Sequence, residues 1–187
     1  MQLPSAQPYF IALGVSEISL ALLKRSGGST VKKDRSTFGL LWLVIGVSIG
    51  LSFFVAGAVP YFGYPFALFG YGTGVVFFCG GVLLRWWSII HLGRFFTVDV
   101  AIAQDHTVVS DGPYRLVRHP GYSGVLLSFL GLGLLLHNGL AALLLIVPIF
   151  VALLWRIKVE EEALTTALGK AYTDYMARTR RLVPWLY

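Results

Sequence analysis

Charge is what this chain has little of. Only 13% of its 187 residues are Asp, Glu, Lys or Arg, against about 25% in a typical soluble domain. That shortage excludes an ordinary water-facing surface. Cysteine is nearly absent: the single Cys79 sits in an apolar run, so the chain has neither a disulfide framework nor a cysteine zinc site. The histidines, His91, His106, His119 and His137, lack metal-ligand spacing, so no metal is expected. No glycine-rich phosphate loop, Walker pattern or nucleophile elbow occurs. The opening Met1-Gln2-Leu3-Pro4-Ser5 has no basic residue, so no cleaved signal peptide is expected. No internal repeat or compositional boundary divides the chain, which reads as one domain, 1–187.

What is there is apolar. Hydrophobic residues make up 56% of the chain and glycines number 21, a mixture suited to closely packed transmembrane helices. The net charge of +6 would suggest nucleic acid in a soluble protein. Here the basic residues flank apolar segments, so the partner is the bilayer, with no nucleic acid expected.

Five apolar segments are legible, at 8–23, 38–59, 66–92, 121–136 and 140–155. A crossing needs about 20 residues, so the last two, joined by a turn at His137-Asn138-Gly139, are short. Glu17 interrupts the first, which is costly at membrane depth unless it faces protein or water. After 155, Leu164, Leu168, Tyr172 and Tyr175 recur at three- or four-residue steps, as in an amphipathic helix over 156–178. The expected fold is all-α and integral to the membrane, with about five transmembrane helices and a cytoplasmic amphipathic C-terminal helix. If the loop at 24–37 is cytoplasmic, all 15 Lys and Arg residues fall on or near that side, Arg85 included. The turns at 60–65 and 137–139 carry none. This places the N-terminus outside and every polar cluster on the cytoplasmic face, whether of a bacterial inner membrane or of the endoplasmic reticulum.

Two clusters invite chemistry. Arg156 and Glu160 stand at i,i+4 on one helix face, which alone reads as a surface ion pair worth little. The run Glu160-Glu161-Glu162 adds three adjacent carboxylates, which suit a cationic or hydroxyl-rich partner such as a sulfonium or a ribose diol. In Arg118-His119-Pro120-Gly121-Tyr122, Pro120 fits the first turn of a helix and His119 its N-cap. Such a helix start can seat an anion. The same residues also read as interfacial anchors.

In combination these pieces resemble a known family. Gly112-Pro113-Tyr114, Arg118-His119-Pro120-x-Tyr122, Arg156-x-x-x-Glu160-Glu161-x-x-Leu164, Gly169, Tyr172, Tyr175 and Arg181-x-x-Pro184 resemble, in order and spacing, the isoprenylcysteine carboxyl methyltransferases. Leu84-Arg85-Trp86-Trp87-Ser88, followed by Leu92-Gly93-Arg94-Phe95-Phe96, extends the match, which covers 84–184. The resemblance implies an integral-membrane enzyme using S-adenosyl-L-methionine and releasing S-adenosyl-L-homocysteine, with a cytoplasmic cofactor region at 93–120 and 156–184. Cofactor contacts carried over by motif are His106, Thr107, Val108, Val109, Tyr114, His119, Pro120, Gly121, Tyr122 and Glu160. Arg156, the catalytic candidate, would face the substrate carboxylate. Gly121 departs from the family, where Ser or Met is more usual; a backbone contact survives that change.

The chemistry suits these residues. A carboxylate acceptor is already deprotonated at neutral pH, so no general base is required. The task is alignment, with Arg156 gripping the carboxylate by two N–H bonds. Trp86 and Trp87, with Phe95 and Phe96, are expected as dry walls on the substrate side. The expected acceptor is a lipophilic small molecule or a prenylated peptide, entering sideways from the bilayer. Three alternatives stay open at this point: methylation of a thiol or phospholipid amine, a nicotinamide-dependent sterol-type reductase, and a non-catalytic membrane protein whose clusters only set topology.

Overall fold

The computed structural model describes residues 3–23, 31–34, 36–59, 67–96, 100–102 and 107–184. Among these, nearly all the regular structure is helical: α1 (Gln7–Leu23), α2 (Ser36–Ala58), α3 (Ala67–Leu92), α4 (Pro120–Leu135), α5 (Gly139–Leu168) and α6 (Lys170–Arg178). Among the described residues three helices, α2, α3 and α5, are long and apolar enough to cross a bilayer. The apolar α1 and α4 are shorter, at 17 and 16 residues. The helical membrane architecture expected from composition is therefore present.

Two details depart from expectation. The fold is not wholly α: β1 (Val31–Asp34) pairs antiparallel with β2 (Val100–Ile102), with an irregularity between Lys32 and Asp34. Val31, Val100 and Ile102 are β-branched, a preference too local to read from two separate loops. The ribbon ties the α1–α2 connection to the α3–α4 connection, so both lie at one end of the bundle. The second departure is the helix boundary set at 155/156. α5 runs unbroken from Gly139 to Leu168, because nothing between Trp155 and Arg156 breaks a helix. Its buried face repeats every fourth residue through Ala141, Leu145, Ile149, Leu153, Ile157 and Glu161. The helix ends instead at Gly169, whose φ of 54° favours glycine, and α6 begins beyond it.

At the other end, the turn before α5 is pinned as its sequence suggests. Asn138 caps the helix by accepting from the Ala141 N–H at 2.9 Å. The Asn138 side-chain amide donates to the Val59 carbonyl at 2.8 Å, joining this turn to the end of α2. Ser52 of α2 donates to the Ala141 carbonyl at 3.0 Å, which binds α2 to α5.

Glycines set the α3–α4 contact. Gly74 and Gly81 of α3 face Gly131 and Gly124 of α4, and a Cβ on any of the four would press on backbone of the opposite helix. α1 behaves differently and meets the bundle through long side chains. Tyr9 lies edge-on to Phe78, Phe10 packs on Phe53, and the Trp86 indole donates to the Ser16 hydroxyl at 2.9 Å. Glu17, the costly acid, accepts from Arg85 Nε on Oε1 and from Nη2 on Oε2, the latter at 2.6 Å. A charge inside an apolar helix is thus paired rather than left bare.

Gly81→Ala is expected to destabilise the fold by about 1–3 kcal/mol through overpacking, seen as a lower unfolding temperature in detergent. Gly80→Ala, whose added methyl finds only Leu127 Cδ2 at 3.8 Å, should not. Equal responses of the two variants would contradict this packing.

Candidate active site

The start of α4 is built from two segments. Pro120 occupies the first helical turn and His119 stands at the cap position, with no side-chain cap bond. The strand-like stretch before it is held by the C-terminal tail. Arg118 N–H donates to the Arg180 carbonyl at 2.7 Å, and His119 N–H to the Arg181 carbonyl at 3.0 Å. Ser123 continues the seam by donating its hydroxyl to the Leu182 carbonyl at 2.5 Å. The buried Tyr175 hydroxyl donates to the Tyr114 carbonyl at 2.7 Å, and its burial pushes its pKa up to about 12. α6 thereby packs under the Gly112–Arg115 turn.

Beside this start, the three adjacent glutamates go different ways, since each helical residue turns about 100° from the last. Glu162 is exposed. Glu161 lies on the buried stripe of α5 and is only 4% exposed. Its Oε1 accepts from Arg118 Nε at 2.8 Å and His119 Nε2 at 3.4 Å. Its Oε2 accepts from Arg181 Nε at 2.9 Å. Arg118 also donates to the Met176 and Thr179 carbonyls, at 3.1 and 2.5 Å. One carboxylate therefore gathers α5, the α4 start and the tail.

Glu160 points elsewhere. Its Oε2 accepts from the Tyr122 hydroxyl at 2.8 Å, and that same hydroxyl accepts from Arg156 Nε at 2.9 Å. The i,i+4 pair of Arg156 and Glu160 is thus bridged by a phenol of α4. The His119 ring stacks on Tyr122 at 5.6 Å, and its Nδ1 lies 4.0 Å from Glu160 Oε1. The Glu160 side chain keeps 29% exposure, so this oxygen has room for a further donor.

Arg156 and Tyr122 also reach the polar end of a cavity. It opens where α1 stands off from α2, α4 and α5, and has a cavity volume of about 130 Å³. Its walls are largely apolar, from Phe10, Leu13, Trp42, Ile45, Phe129 and Leu153. Arg85 and Glu17 line it as the ion pair already described. Arg156 is 4% exposed, with its guanidinium carbon 5.7 Å from the centre of the Phe38 ring.

The structure brings together Arg156, Glu160, His119, Pro120, Gly121 and Tyr122. Tyr114 is buried nearby, its hydroxyl donating to the Ser88 carbonyl at 3.3 Å and its ring stacked on His91 at 6.3 Å. A Cβ at Gly121 would meet only ordinary contacts at 3.8 Å, so the position has room for a larger residue. Val108 and Val109 are half-buried and Thr107 is exposed, all before the Tyr114 turn. His106 lies outside the described residues.

The tryptophans are a correction. Trp87 is 54% exposed on the outside of α3, and Trp86 is turned toward Ser16; neither lines the cavity. Their positions on α3 follow Arg85, which occupies the inward-facing turn. Phe96 does line it, joined by Phe10, Phe38 and Trp42 of the first two helices. Sequence reasoning also passed over the roles of Arg118, Glu161 and Arg181 as a clamp. The four-residue stripe on α5 was the available signal, since it runs into Glu161 and not Glu160.

A polytopic helical membrane protein, with buried polar clusters at one end of an apolar cavity, is the class that this fold and site define. Residues 74–166 match the sequence profile of the isoprenylcysteine carboxyl methyltransferase (ICMT) family, and the chain belongs to that family. Protein-S-isoprenylcysteine O-methyltransferase B of Arabidopsis thaliana is 34% identical over 108 residues, which is 57% of this chain and 55% of that protein. The Schizosaccharomyces pombe protein-S-isoprenylcysteine O-methyltransferase is 34% identical over 110 residues, 58% of this chain and 47% of its own length. The chain thus spans about half the length of the curated relatives it matches. A solved structure of the eukaryotic intramembrane Ras methyltransferase ICMT shares the fold. Its TM-score is 0.56 at 22% identity, covering 82% of this chain and 54% of that one.

Glu161→Ala is expected to cost about 3–5 kcal/mol of stability, because it removes the buried carboxylate that Arg118, His119 and Arg181 share. Glu160→Ala removes one partner of the Tyr122 hydroxyl and should cost about 1 kcal/mol. Unfolding temperatures in detergent read both, and the reverse ranking would contradict the clamp.

Proposed function

We propose that this chain transfers a methyl group from S-adenosyl-L-methionine to the carboxylate of a lipophilic, isoprenylcysteine-like acceptor at the cytoplasmic membrane face. One observation carries the reading: Arg156, at the polar end of an apolar cavity, shares the Tyr122 hydroxyl with Glu160, which stands beside the start of α4. A greasy acid fits the cavity with its tail among Phe10, Trp42 and Phe129 and its carboxylate on Arg156. The named activity of the relatives supports the same acceptor class.

The residues present fit the cofactor. It carries a carboxylate, an ammonium, a sulfonium and a ribose. The Gly121 N–H at the start of α4, where no side chain caps the helix, lies at the positive end of the helix dipole with Arg118 and His119 behind it, and suits the carboxylate. Glu160, with acceptor capacity left on Oε1, suits a ribose hydroxyl or a cation. Tyr114, His119, Pro120, Gly121 and Tyr122 would be the nearest contacts, with His106, Thr107, Val108 and Val109 leading into them. When bound, the cofactor supplies an electrophilic methyl group on sulfur. The chain's part is to align the acceptor oxygen and exclude water. Tyr122 holds Arg156 and Glu160 in one register, so a single phenol sets the spacing between acceptor and donor sites.

Five crossings with the N-terminus outside also belong to this reading. The β1–β2 ribbon joins the two loops assigned to the cytoplasm, and the Asn138–Val59 bond joins the two turns assigned outside. Whether that bilayer is a bacterial inner membrane or an endoplasmic reticulum does not alter the chemistry.

Arg156→Ala should abolish turnover while calorimetric titration with S-adenosyl-L-homocysteine still shows binding. Glu160→Ala should weaken that binding at least about tenfold, the loss of one charged hydrogen bond. Wild-type turnover should be flat above about pH 6, since the acceptor acid has a reference pKa near 4. Normal binding and turnover in both variants, or a rate rising through pH 8 as an amine or thiol acceptor requires, would refute the assignment.

A further inference from the structure

Away from the cavity, three arginines from separate segments converge on one surface cleft. Arg115 comes from the turn before α4, Arg178 from the end of α6, and Arg180 from the tail. All three are exposed, and among the described residues none makes an ion pair with a carboxylate. Arg178 is steadied by donating Nε to the Asp174 carbonyl at 3.2 Å. Leu116, Ala177 and Pro184 add apolar surface to the cleft, with Leu116 52% exposed. Leu116 stands only a few residues before the apolar helix α4. Guanidiniums beside exposed aliphatic side chains, next to a membrane helix, match the phosphate and upper acyl region of a lipid leaflet.

We infer that this cleft binds the phosphodiester headgroup of an anionic phospholipid. The cleft has no part in methyl transfer, and its occupancy does not depend on that reading. Its walls do touch the site, however. Arg180 pairs through its backbone with the 116–118 stretch, donating N–H to the Leu116 carbonyl at 3.4 Å and accepting from Arg118 N–H at 2.7 Å. A headgroup bridging Arg115 to Arg178 and Arg180 would therefore staple the tail onto the stretch that carries Arg118 and His119. Anionic lipid should then stabilise the protein as well as bind it.

The test uses the full chain purified in neutral detergent. Short-chain phosphatidylglycerol is titrated against short-chain phosphatidylcholine, with lipid adducts read by native mass spectrometry and unfolding by tryptophan fluorescence. Wild-type protein should retain phosphatidylglycerol, not phosphatidylcholine, and unfold at higher temperature with it. In R115Q/R178Q/R180Q, phosphatidylglycerol binding should weaken by at least about tenfold, while the all-lysine counterpart keeps most of it. If the triple variant fails to fold, R115Q and R178Q alone should each lose several-fold. Binding equal in wild type and variants would overturn the inference. So would inorganic phosphate reproducing the whole thermal shift at the same concentration, which would make the cleft a site for soluble anions.

Discussion

The buried carboxylate of Glu161 is the constraint on which the rest of the site depends. A charge nearly sealed at one end of a membrane helix is tolerable only if it is met by opposite charge and by donors. Arg118, His119 and Arg181 supply both, from segments that share no helix with it. Satisfying this one group forces the tail to lie along the approach to α4. The N-terminus of α4 then comes to rest beside Glu160, one residue away on the same helix. A site formed this way is positioned by electrostatic necessity rather than by loop packing.

The second layer is steric. Four glycines let α3 and α4 approach to backbone contact, while α1 is held off by tyrosine, phenylalanine and tryptophan side chains. Tight packing on one side and loose packing on the other leave an apolar space inside the bundle. On the proposed reading that space takes the acceptor's tail, and the phenol of Tyr122 separates it from the cofactor. The Glu17–Arg85 pair shows the same economy: a residue too polar for lipid is placed where it braces the wall of the cavity.

Much of this was legible beforehand. Helix positions followed from apolar runs, the α4 start from Pro120, the turn before α5 from Asn138, and the glycine contacts from their abundance in the third segment. The family motifs name His119, Tyr122, Arg156 and Glu160, four residues that the structure brings into contact. Other features depended on phase and distance, which a one-dimensional pattern carries weakly. Trp86 and Trp87 follow Arg85 by one and two helical steps of about 100°, which turns both away from the cavity. The continuity of α5 through Arg156 was hidden by a change of composition that is not a change of conformation. The β ribbon joins loops far apart in the chain, and no local signal announces such pairing.

The central claim is tested most directly by an experimental structure with S-adenosyl-L-homocysteine and a lipid-tailed thioether acid both bound. The account predicts the nucleotide against the start of α4 and Glu160, the acid on Arg156, and the tail running into the cavity beside Phe10 and Trp42. Ligand density at the Asn138 end of the bundle, or a nucleotide and tail on opposite sides of it, would contradict the account.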